Sequence, residues 1–315
     1  MSPKLVVCGS IAVDRIMNFS GHYRDVIESS KLEVLSVSVL VNSLDEAEGG
    51  TGANIVYNLA SLGEKPILLG SIGRNAVSYI NRLAVMGVDI SNVHVSQLPT
   101  ASFNVLTDSG ENQVGGFYPG AMSDSRSLSF IPWSNEDILA CISAHDPSAM
   151  RRQVDECAKH EIRLVYDPGQ QVSTISAHDL RAGVLAAEVV IVNEYELDQL
   201  TKKTGWNVAQ LEAQVPVLIC THGARGSNIA GSQLTKPVKI GVAKPVKVTD
   251  PTGAGDAYRA GFMYGYLRQW EARKCGQLGA VVSSYALEQH GPQAKLTKQA
   301  IVGRYHQTFK EELVL

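Results

Sequence analysis

The stretch Asp250-Pro-Thr-Gly-Ala-Gly-Asp256 has the residue types of an anion-binding loop that leads into a helix. Gly253 and Gly255 allow close backbone approach, so the amides around Ala254 can point at an anion. The helix dipole favours negative charge at this end, including charge that develops during phosphoryl transfer. Asp256 follows directly and could accept a proton from a substrate hydroxyl. The pattern therefore predicts an anion site with a base beside it.

A second glycine-rich loop, Gly49-Gly-Thr-Gly-Ala-Asn54, precedes another helical pattern. Gly50 permits close approach of the backbone to a ligand, and Asn54 offers both a donor and an acceptor. The loop could equally be a helix entry that binds nothing. Asp14 is predicted at the carboxyl end of the first strand, where ligands bind in open α/β sheets. An ionised carboxylate there can accept two hydrogen bonds from neighbouring hydroxyls.

The composition excludes several function classes. The 315 residues are 44% hydrophobic and 19% charged, as in a soluble globular protein. The net charge of −3 and the absence of a basic run predict no nucleic-acid partner. No apolar run approaches the roughly 20 residues of a membrane span, so no membrane association is expected. Five scattered cysteines without metal-type spacing predict reduced thiols and a cytoplasmic location.

Strand and helix patterns alternate along the chain, which predicts a parallel sheet with helices on both faces. The predicted strands are 4–8, 32–44, 66–71, 163–167, 189–193 and 217–221, with a hairpin at 101–107 and 113–118. The predicted helices are 53–62, 76–86, 149–160, 177–186 and 194–204. Segments 15–48 and 99–120 lack helices and could pair as a small projecting sheet.

The two glycine motifs resemble the signatures of the PfkB, or ribokinase-like, family of small-molecule kinases. This resemblance implies a three-layer α/β/α sandwich with a mostly parallel central sheet. It also implies one domain over residues 1–315, with a β-sheet lid formed by about 15–48 and 99–120 that often mediates a homodimer. In the family, the aspartate matching Asp256 is the catalytic base. The amides matching Gly253, Ala254 and Gly255 hold the transferred phosphate.

The resemblance also implies sites for ATP and Mg²⁺. Asn193 and Glu196 match an N-x-x-E motif that organises Mg²⁺ through water. The turn Thr221-His-Gly-Ala-Arg-Gly226 resembles the family's nucleotide-phosphate turn, in which Thr221, Gly223 and Gly226 would contact the nucleotide. Its His222 is interpreted as local variation. A looser correspondence suggests a monovalent cation such as K⁺ at Asp250 and Thr252.

The substrate side resembles bacterial adenosine kinases of this family. Asp14, Gly50 and Asn54 match residues that bind the acceptor's ribose or sugar, although ribokinase proper has lysine at the position of Thr51. Aromatic stacking suits a flat heterocycle. The remaining matched positions are the stacking pair Phe103 and Phe117, the base-side Gln170 and Gln171, and the lesser contacts Ser10 and Ser38.

The sequence thus predicts ATP-dependent phosphorylation of adenosine at the ribose 5′-hydroxyl, giving AMP and ADP for purine salvage. One alternative is a kinase for another nucleoside or for a free sugar such as ribose. Another is a catalytically silent ligand sensor or scaffold on the same fold. Retention of Asp256 and both glycine loops argues against the silent protein.

Overall fold

The computed structural model describes residues 3–28 and 33–315. Its strands are β1 (Lys4–Cys8), β2 (Ala12–Asn18), β3 (Ser43–Gly49), β4 (Ile67–Gly73), β5 (Val93–Ser96), β6 (Ala101–Thr107), β7 (Gln113–Tyr118), β8 (Ile138–Ile142), β9 (Arg163–Tyr166), β10 (Val189–Asn193), β11 (Val217–Thr221), β12 (Ser227–Ala230) and β13 (Val238–Ile240). Its helices are α1 (Tyr23–Val26), α2 (Thr51–Ser61), α3 (Val77–Val85), α4 (Pro147–Lys159), α5 (Ala177–Ala186), α6 (Glu194–Thr204), α7 (Val208–Gln214), α8 (Ala254–Leu267), α9 (Ala272–Ala286) and α10 (Lys298–Phe309).

The main sheet has the strand order β13-β12-β11-β10-β9-β8-β1-β4-β5. It is parallel from β11 to β5, and only the β11–β12 and β12–β13 pairings are antiparallel. Parallel strands buried on both faces read as continuous apolar runs, which is why β1 and β10 were recognisable in the sequence. This arrangement confirms the predicted α/β class.

Two hydrophobic cores lie on opposite faces of the main sheet. Successive side chains of a strand point to opposite faces, and β1 accordingly contributes Leu5 and Val7 to one core and Val6 and Cys8 to the other. Helices α2, α8 and α9 pack on the first face, and α4 to α7 pack on the second. The result is the three-layer α/β/α sandwich that the sequence predicted.

A separate small sheet has the order β3-β2-β6-β7. The predicted hairpin is confirmed at both strands, because β6 and β7 pair antiparallel with the bounds expected. Strand β2 pairs parallel with β6 and antiparallel with β3. We refer to these four strands as the small sheet.

The strand predicted across 32–44 is wrong over the described residues 33–42, which form no strand; Leu32 lies outside the described residues. Its alternating apolar and serine residues suggested one buried face, but Val34, Leu35, Val37 and Leu40 are all exposed. The strand that pairs here is the more acidic β3, whose register is set by seven consecutive partners on β2.

The predicted position of Asp14, at the carboxyl end of the first strand, is also wrong. The first strand ends at Cys8, and Asp14 lies in the middle of β2, in the small sheet. The apolar run that includes Ile11–Val13 made these two strands look like one. Asp14 therefore approaches the edge of the main sheet from the small sheet.

Candidate functional site

The amino terminus of α8 is a half-buried turn, Gly253 to Gly255, whose backbone amides are candidates for binding an anion. Gly253 is its N-cap residue, with φ of 76°, and no side chain caps the helix. A β-carbon on Gly253 would lie 2.6 Å from Cα of Pro292, so the position requires glycine for both its conformation and its neighbour. The first-turn amides of a helix have no intrahelical partner, and the dipole there favours an anion.

Asp256 lies in the first turn of α8 and contacts α2. Its Oδ2 accepts a hydrogen bond of 2.9 Å from Nδ2 of Asn54. Both side chains are buried. The two glycine motifs of the sequence are thus brought together at the amino termini of α2 and α8.

A buried arginine lies behind this carboxylate. Nη1 of Arg259 is 3.8 Å from Oδ1 of Asp256, and Nη2 donates to Oδ1 of Asp167 at 2.6 Å. Nη2 also lies 3.9 Å from Oε2 of Glu196. Asp167 is anchored from its other side by the hydroxyl of Ser143, which donates to it at 2.6 Å. One guanidinium therefore faces three buried carboxylates.

Burial in this cluster shifts the protonation of Asp256. Loss of hydration raises the pKa of the Asp256 carboxyl to about 6, and the charges of Asp167 and Glu196 raise it as well. Arg259 and the amide of Asn54 oppose the shift. The carboxylate is therefore mostly ionised at neutral pH, with a basicity well above that of an ordinary aspartate. Such a pKa suits a group that must accept a proton.

The Asn193–Glu196 motif forms a capping box at the start of α6. Oδ1 of Asn193 accepts the Glu196 amide, and Oε2 of Glu196 accepts the Asn193 amide, both at 2.8 Å. Burial raises the pKa of the Glu196 carboxyl despite the nearby Arg259. Asn193 is also in register with Thr221, so β10 and β11 end side by side at this edge.

These residues fit a hydrated magnesium ion and not a fully protein-bound metal. Over residues 3–28 and 33–315, no group of three His, Cys, Asp or Glu residues could hold a metal ion. Magnesium commonly keeps several waters and uses few carboxylates. Glu196, a hard oxygen ligand at the edge where β10 and β11 end, suits such a water-mediated role.

The turn after β11 contains the two positive-φ glycines that the sequence suggested for nucleotide binding. Gly223 has φ of 54° and Gly226 of 88°. His222 is engaged at both ring nitrogens, because its Nδ1 lies 2.9 Å from Oε1 of Glu194 and its Nε2 lies 3.0 Å from Nδ2 of Asn228. Glu194 also pairs with Arg225.

One face of the small sheet carries a row of three predicted substrate residues. Asp14 is in register with Phe103 on β6, and Phe103 is in register with Phe117 on β7. Directly paired residues share a face of a sheet. Both rings are partly exposed, at 39% for Phe103 and 48% for Phe117, so they are available to a ligand.

This face points towards the loop after α9. Oδ2 of Asp14 would lie 3.0 Å from a β-carbon on Gly49, which in turn would be 3.8 Å from Cγ of Pro292. Burial and the charge of Asp250 raise the pKa of the Asp14 carboxyl. Pro292 also packs on Gly253, so Asp14 lies on the same side as the α8 amino terminus.

Asp250 closes the loop before α8. Its Oδ1 accepts the Thr252 amide at 2.8 Å, and its Oδ2 accepts the Gly291 amide at 3.0 Å. Although partial burial opposes it, these hydrogen bonds hold the pKa of the Asp250 carboxyl below its usual range. The carboxylate therefore joins the anion loop to the segment after α9.

The loop at the start of α2 makes hydrogen bonds within the protein that the sequence did not indicate. Oγ of Ser10 accepts the Thr51 amide at 2.9 Å, and the Ser10 carbonyl accepts those of Gly52 and Ala53. Gly50 has φ of 92°, and a β-carbon there would lie 2.5 Å from the Ser10 carbonyl oxygen. Ser10 and Gly50 thus position α2, and with it Asn54.

Three other predicted substrate residues are not drawn into these contacts. Ser38 lies in the exposed irregular segment before β3, and Gln170 is exposed on a short 3-10 turn, Gly169–Ser173. Gln171 is half-buried on the same turn. Their substrate roles remain predictions.

Sequence reasoning missed the parts of the site that depend on tertiary contact. Asp167 ends a predicted strand and Arg259 follows the anion loop, but nothing local indicated that they pair across 92 residues. Gln293, which donates to Oδ1 of Asn54 at 3.3 Å, gave no signal at all. An arginine on a helix face that is otherwise apolar was the one available indication that a carboxylate lies opposite.

Comparison with known proteins places this geometry in a family. The model of the pfkB family of carbohydrate kinases matches residues 2–299. A nucleoside kinase of Methanothermobacter thermautotrophicus is 29% identical over 90% of this chain and 93% of its own. An ATP-dependent 6-phosphofructokinase of Thermoanaerobacterium thermosaccharolyticum is 27% identical over 87% of this chain and 93% of its own.

A solved structure of Burkholderia thailandensis nucleoside kinase in complex with inosine superposes on the chain with a TM-score of 0.86. It is 30% identical and covers 98% of this chain and 100% of its own. The similarity therefore spans both the main sheet and the small sheet.

Proposed function

The chain belongs to the pfkB family of carbohydrate kinases, and we propose that within this family it is a nucleoside kinase that phosphorylates adenosine at its ribose 5′-hydroxyl. Family membership makes it an ATP-dependent phosphotransferase that acts on a hydroxyl group. The row of Asp14, Phe103 and Phe117 is the observation that carries the nucleoside proposal. It sets a carboxylate suited to sugar hydroxyls beside two rings suited to a base.

In the proposed reaction, Asp256 accepts the proton of the 5′-hydroxyl, whose oxygen attacks the γ-phosphoryl group of ATP. The products are AMP and ADP. Amides of Gly253, Ala254 and Gly255, at the positive end of α8, stabilise the charge on the transferred group. Asn54 holds the carboxylate in place. Thr221, Gly223 and Gly226, at the edge where β10 and β11 end, would bind the nucleotide phosphates.

Magnesium is the metal that this site suits. Glu196, oriented by Asn193, would hold it through water, and the ion would neutralise phosphate charge during transfer. A monovalent cation at Asp250 and Thr252 stays a prediction, since both carboxylate oxygens of Asp250 already accept backbone amides.

The small sheet is proposed to act as a lid that closes over the nucleoside and excludes water. Its other face carries the exposed apolar residues Leu44, Val114 and Tyr118, and we propose that a second copy of the chain covers them in a homodimer. No helix in residues 3–28 and 33–315 is long and apolar enough to cross a membrane. All five cysteines are free and buried, which supports the proposed location in the reducing cytoplasm.

Two other acceptors compete with adenosine. Inosine is the ligand of the Burkholderia structure, and fructose 6-phosphate would suit a relative of the phosphofructokinase. We would measure kcat/KM for adenosine, inosine, guanosine, cytidine, ribose and fructose 6-phosphate with Mg-ATP. Adenosine should give the highest value. Preference for another nucleoside would refute adenosine alone, whereas turnover of sugars only would refute the nucleoside proposal.

A further inference from the structure

The segment after α9 braces the α8 loop through three consecutive residues. Gly291 donates to Asp250, Pro292 packs against Gly253, and Gln293 reaches the residue that contacts the base. The first two contacts fix backbone. The third contact holds the side chain of Asn54, which touches Asp256, and so can affect the protonation of the base.

Gln293 is the first donor in a chain of hydrogen bonds that leads to Asp256. Its Nε2 donates to Oδ1 of Asn54 at 3.3 Å, and Nδ2 of Asn54 donates to Asp256 at 2.9 Å. The same Nε2 contacts the hydroxyl of Tyr79, and that hydroxyl donates to the Gly49 carbonyl at 3.1 Å. Gly49 is the last residue of β3, in the small sheet.

The polarity of this chain is fixed by its ends. The Gly49 carbonyl can only accept, so the Tyr79 hydroxyl must donate to it and receive from Gln293. An ionised Asp256 can only accept, so Asn54 must present its NH₂ group there and its oxygen to Gln293. If the Asn54 amide were reversed, its oxygen would face the carboxylate oxygen, and Gln293 would face another donor.

We propose that Gln293 is a positioning residue that holds the Asn54 amide in the orientation that donates to Asp256, and that ties this contact through Tyr79 to the small sheet. The proposal rests on the assignment of Asp256 as the base. Asn54 touches the base directly, whereas Gln293 acts only through Asn54.

The hydrogen bond from Asn54 matters because the groups around Asp256 shift the pKa of its carboxyl in opposite directions. Arg259 and Asn54 favour its ionised form, while burial, Asp167 and Glu196 disfavour it, and Tyr79 from α3 is the neutral group near it. A hydrogen bond to the ionised form lowers a carboxyl pKa. Releasing Asn54 should therefore raise the pKa of the base and leave less of it ionised.

The test is Gln293→Met, which keeps the length of the side chain and removes its donors. The acid limb of the pH profile of kcat/KM should move up by about one pH unit, and kcat/KM at pH 5 should fall about tenfold. Because only the fraction of ionised base changes, KM for Mg-ATP should stay constant. At pH 9, where the base is ionised in both proteins, most of the lost activity should return.

Gln277→Met is the matched control. Gln277 is a buried glutamine on α9 that also contacts a tyrosine hydroxyl, that of Tyr305 at 2.7 Å, but it belongs to no part of the site. Its replacement should lower thermal stability without moving the acid limb. Tyr79→Phe should likewise leave the limb in place and raise KM for the nucleoside a few-fold, because it cuts only the branch to Gly49.

The outcomes distinguish failure of the positioning role of Gln293 from failure of the proposed function. If the wild type phosphorylates a nucleoside and Gln293→Met leaves the acid limb unmoved, Gln293 has no positioning role. If the wild type turns over no nucleoside, the proposed function fails. In that case ¹³C NMR titration of the Asp256 carboxyl, identified by its loss in Asp256→Asn, still decides whether Gln293→Met raises its pKa.

Discussion

At the scale of single residues, activity should depend on whether Asp256 is ionised. Burial raises its pKa to about 6, so protons bind it increasingly as pH falls through that value. A protonated carboxyl cannot accept the substrate proton. We therefore expect kcat/KM to be level above about pH 7 and to decline about tenfold per pH unit below 6. A profile flat down to pH 4.5 would contradict this assignment.

Arg259 is expected to keep that pKa from rising further. In Arg259→Gln the guanidinium that faces Asp256, Asp167 and Glu196 is lost, so the acid limb should move up by roughly one pH unit or more. Arg259→Lys should restore part of the shift. Because the single variant leaves Asp167 buried without its partner, Arg259→Gln with Asp167→Asn provides a second, less destabilised background.

Arg163→Gln is the control for that experiment. Arg163 also pairs with a carboxylate, Glu188, at 3.1 Å, but at the amino end of β9. Its loss should leave the pH profile unchanged. Equal profiles for Arg259→Gln and the wild type would show that the buried cluster does not tune the base.

Sequence could identify the residues that carry chemistry but not those that tune it. Asp256 and Asn54 lie in motifs whose glycines reveal a loop and a helix start. Arg259 and Gln293 act through partners 92 and 239 positions away along the chain, and such distances leave no local pattern.

At the scale of elements, the start of α8 should tolerate no side chain at Gly253. Gly253→Ala would place a β-carbon against Pro292 at a φ of 76°, and a left-handed conformation alone costs about 1–2 kcal/mol. The expected result is at least a tenfold loss of kcat/KM and a lower melting temperature. Gly303→Ala, in α10 with no atom near its β-carbon, should instead raise stability by about 0.5–1 kcal/mol. Full activity in Gly253→Ala would count against the anion loop.

Elements were predictable where one physical signal dominated. Helices 177–186 and 194–204 and strands 189–193 and 217–221 have the predicted bounds, because helical patterns and buried apolar runs are unambiguous there. Residues 33–42 show the opposite case: period-two alternation without burial is not a strand. The small sheet depends on pairing between distant segments, so the sequence indicated its existence but not the place of Asp14 in it.

At the scale of the whole molecule, the small sheet should control nucleoside affinity and not the chemical step. Phe117→Ala should raise KM for adenosine about 5- to 150-fold, because stacking on one ring stabilises a base by roughly 1–3 kcal/mol. KM for ATP should stay constant. Leu185→Ala is the control, since this exposed apolar side chain lies on α5, away from the small sheet. Equal effects of the two variants would remove the stacking role.

The central claim is that this fold transfers phosphate from ATP to the 5′-hydroxyl of a nucleoside through Asp256. The most direct measurement is ³¹P NMR of the products formed from ATP, Mg²⁺ and adenosine, with 5′-deoxyadenosine as the matched substrate without the hydroxyl. We predict AMP and ADP in equal amounts from adenosine, none from 5′-deoxyadenosine, and a 10²- to 10⁴-fold lower rate in Asp256→Asn. The claim would be contradicted if no AMP formed, or if Asp256→Asn formed it at the wild-type rate.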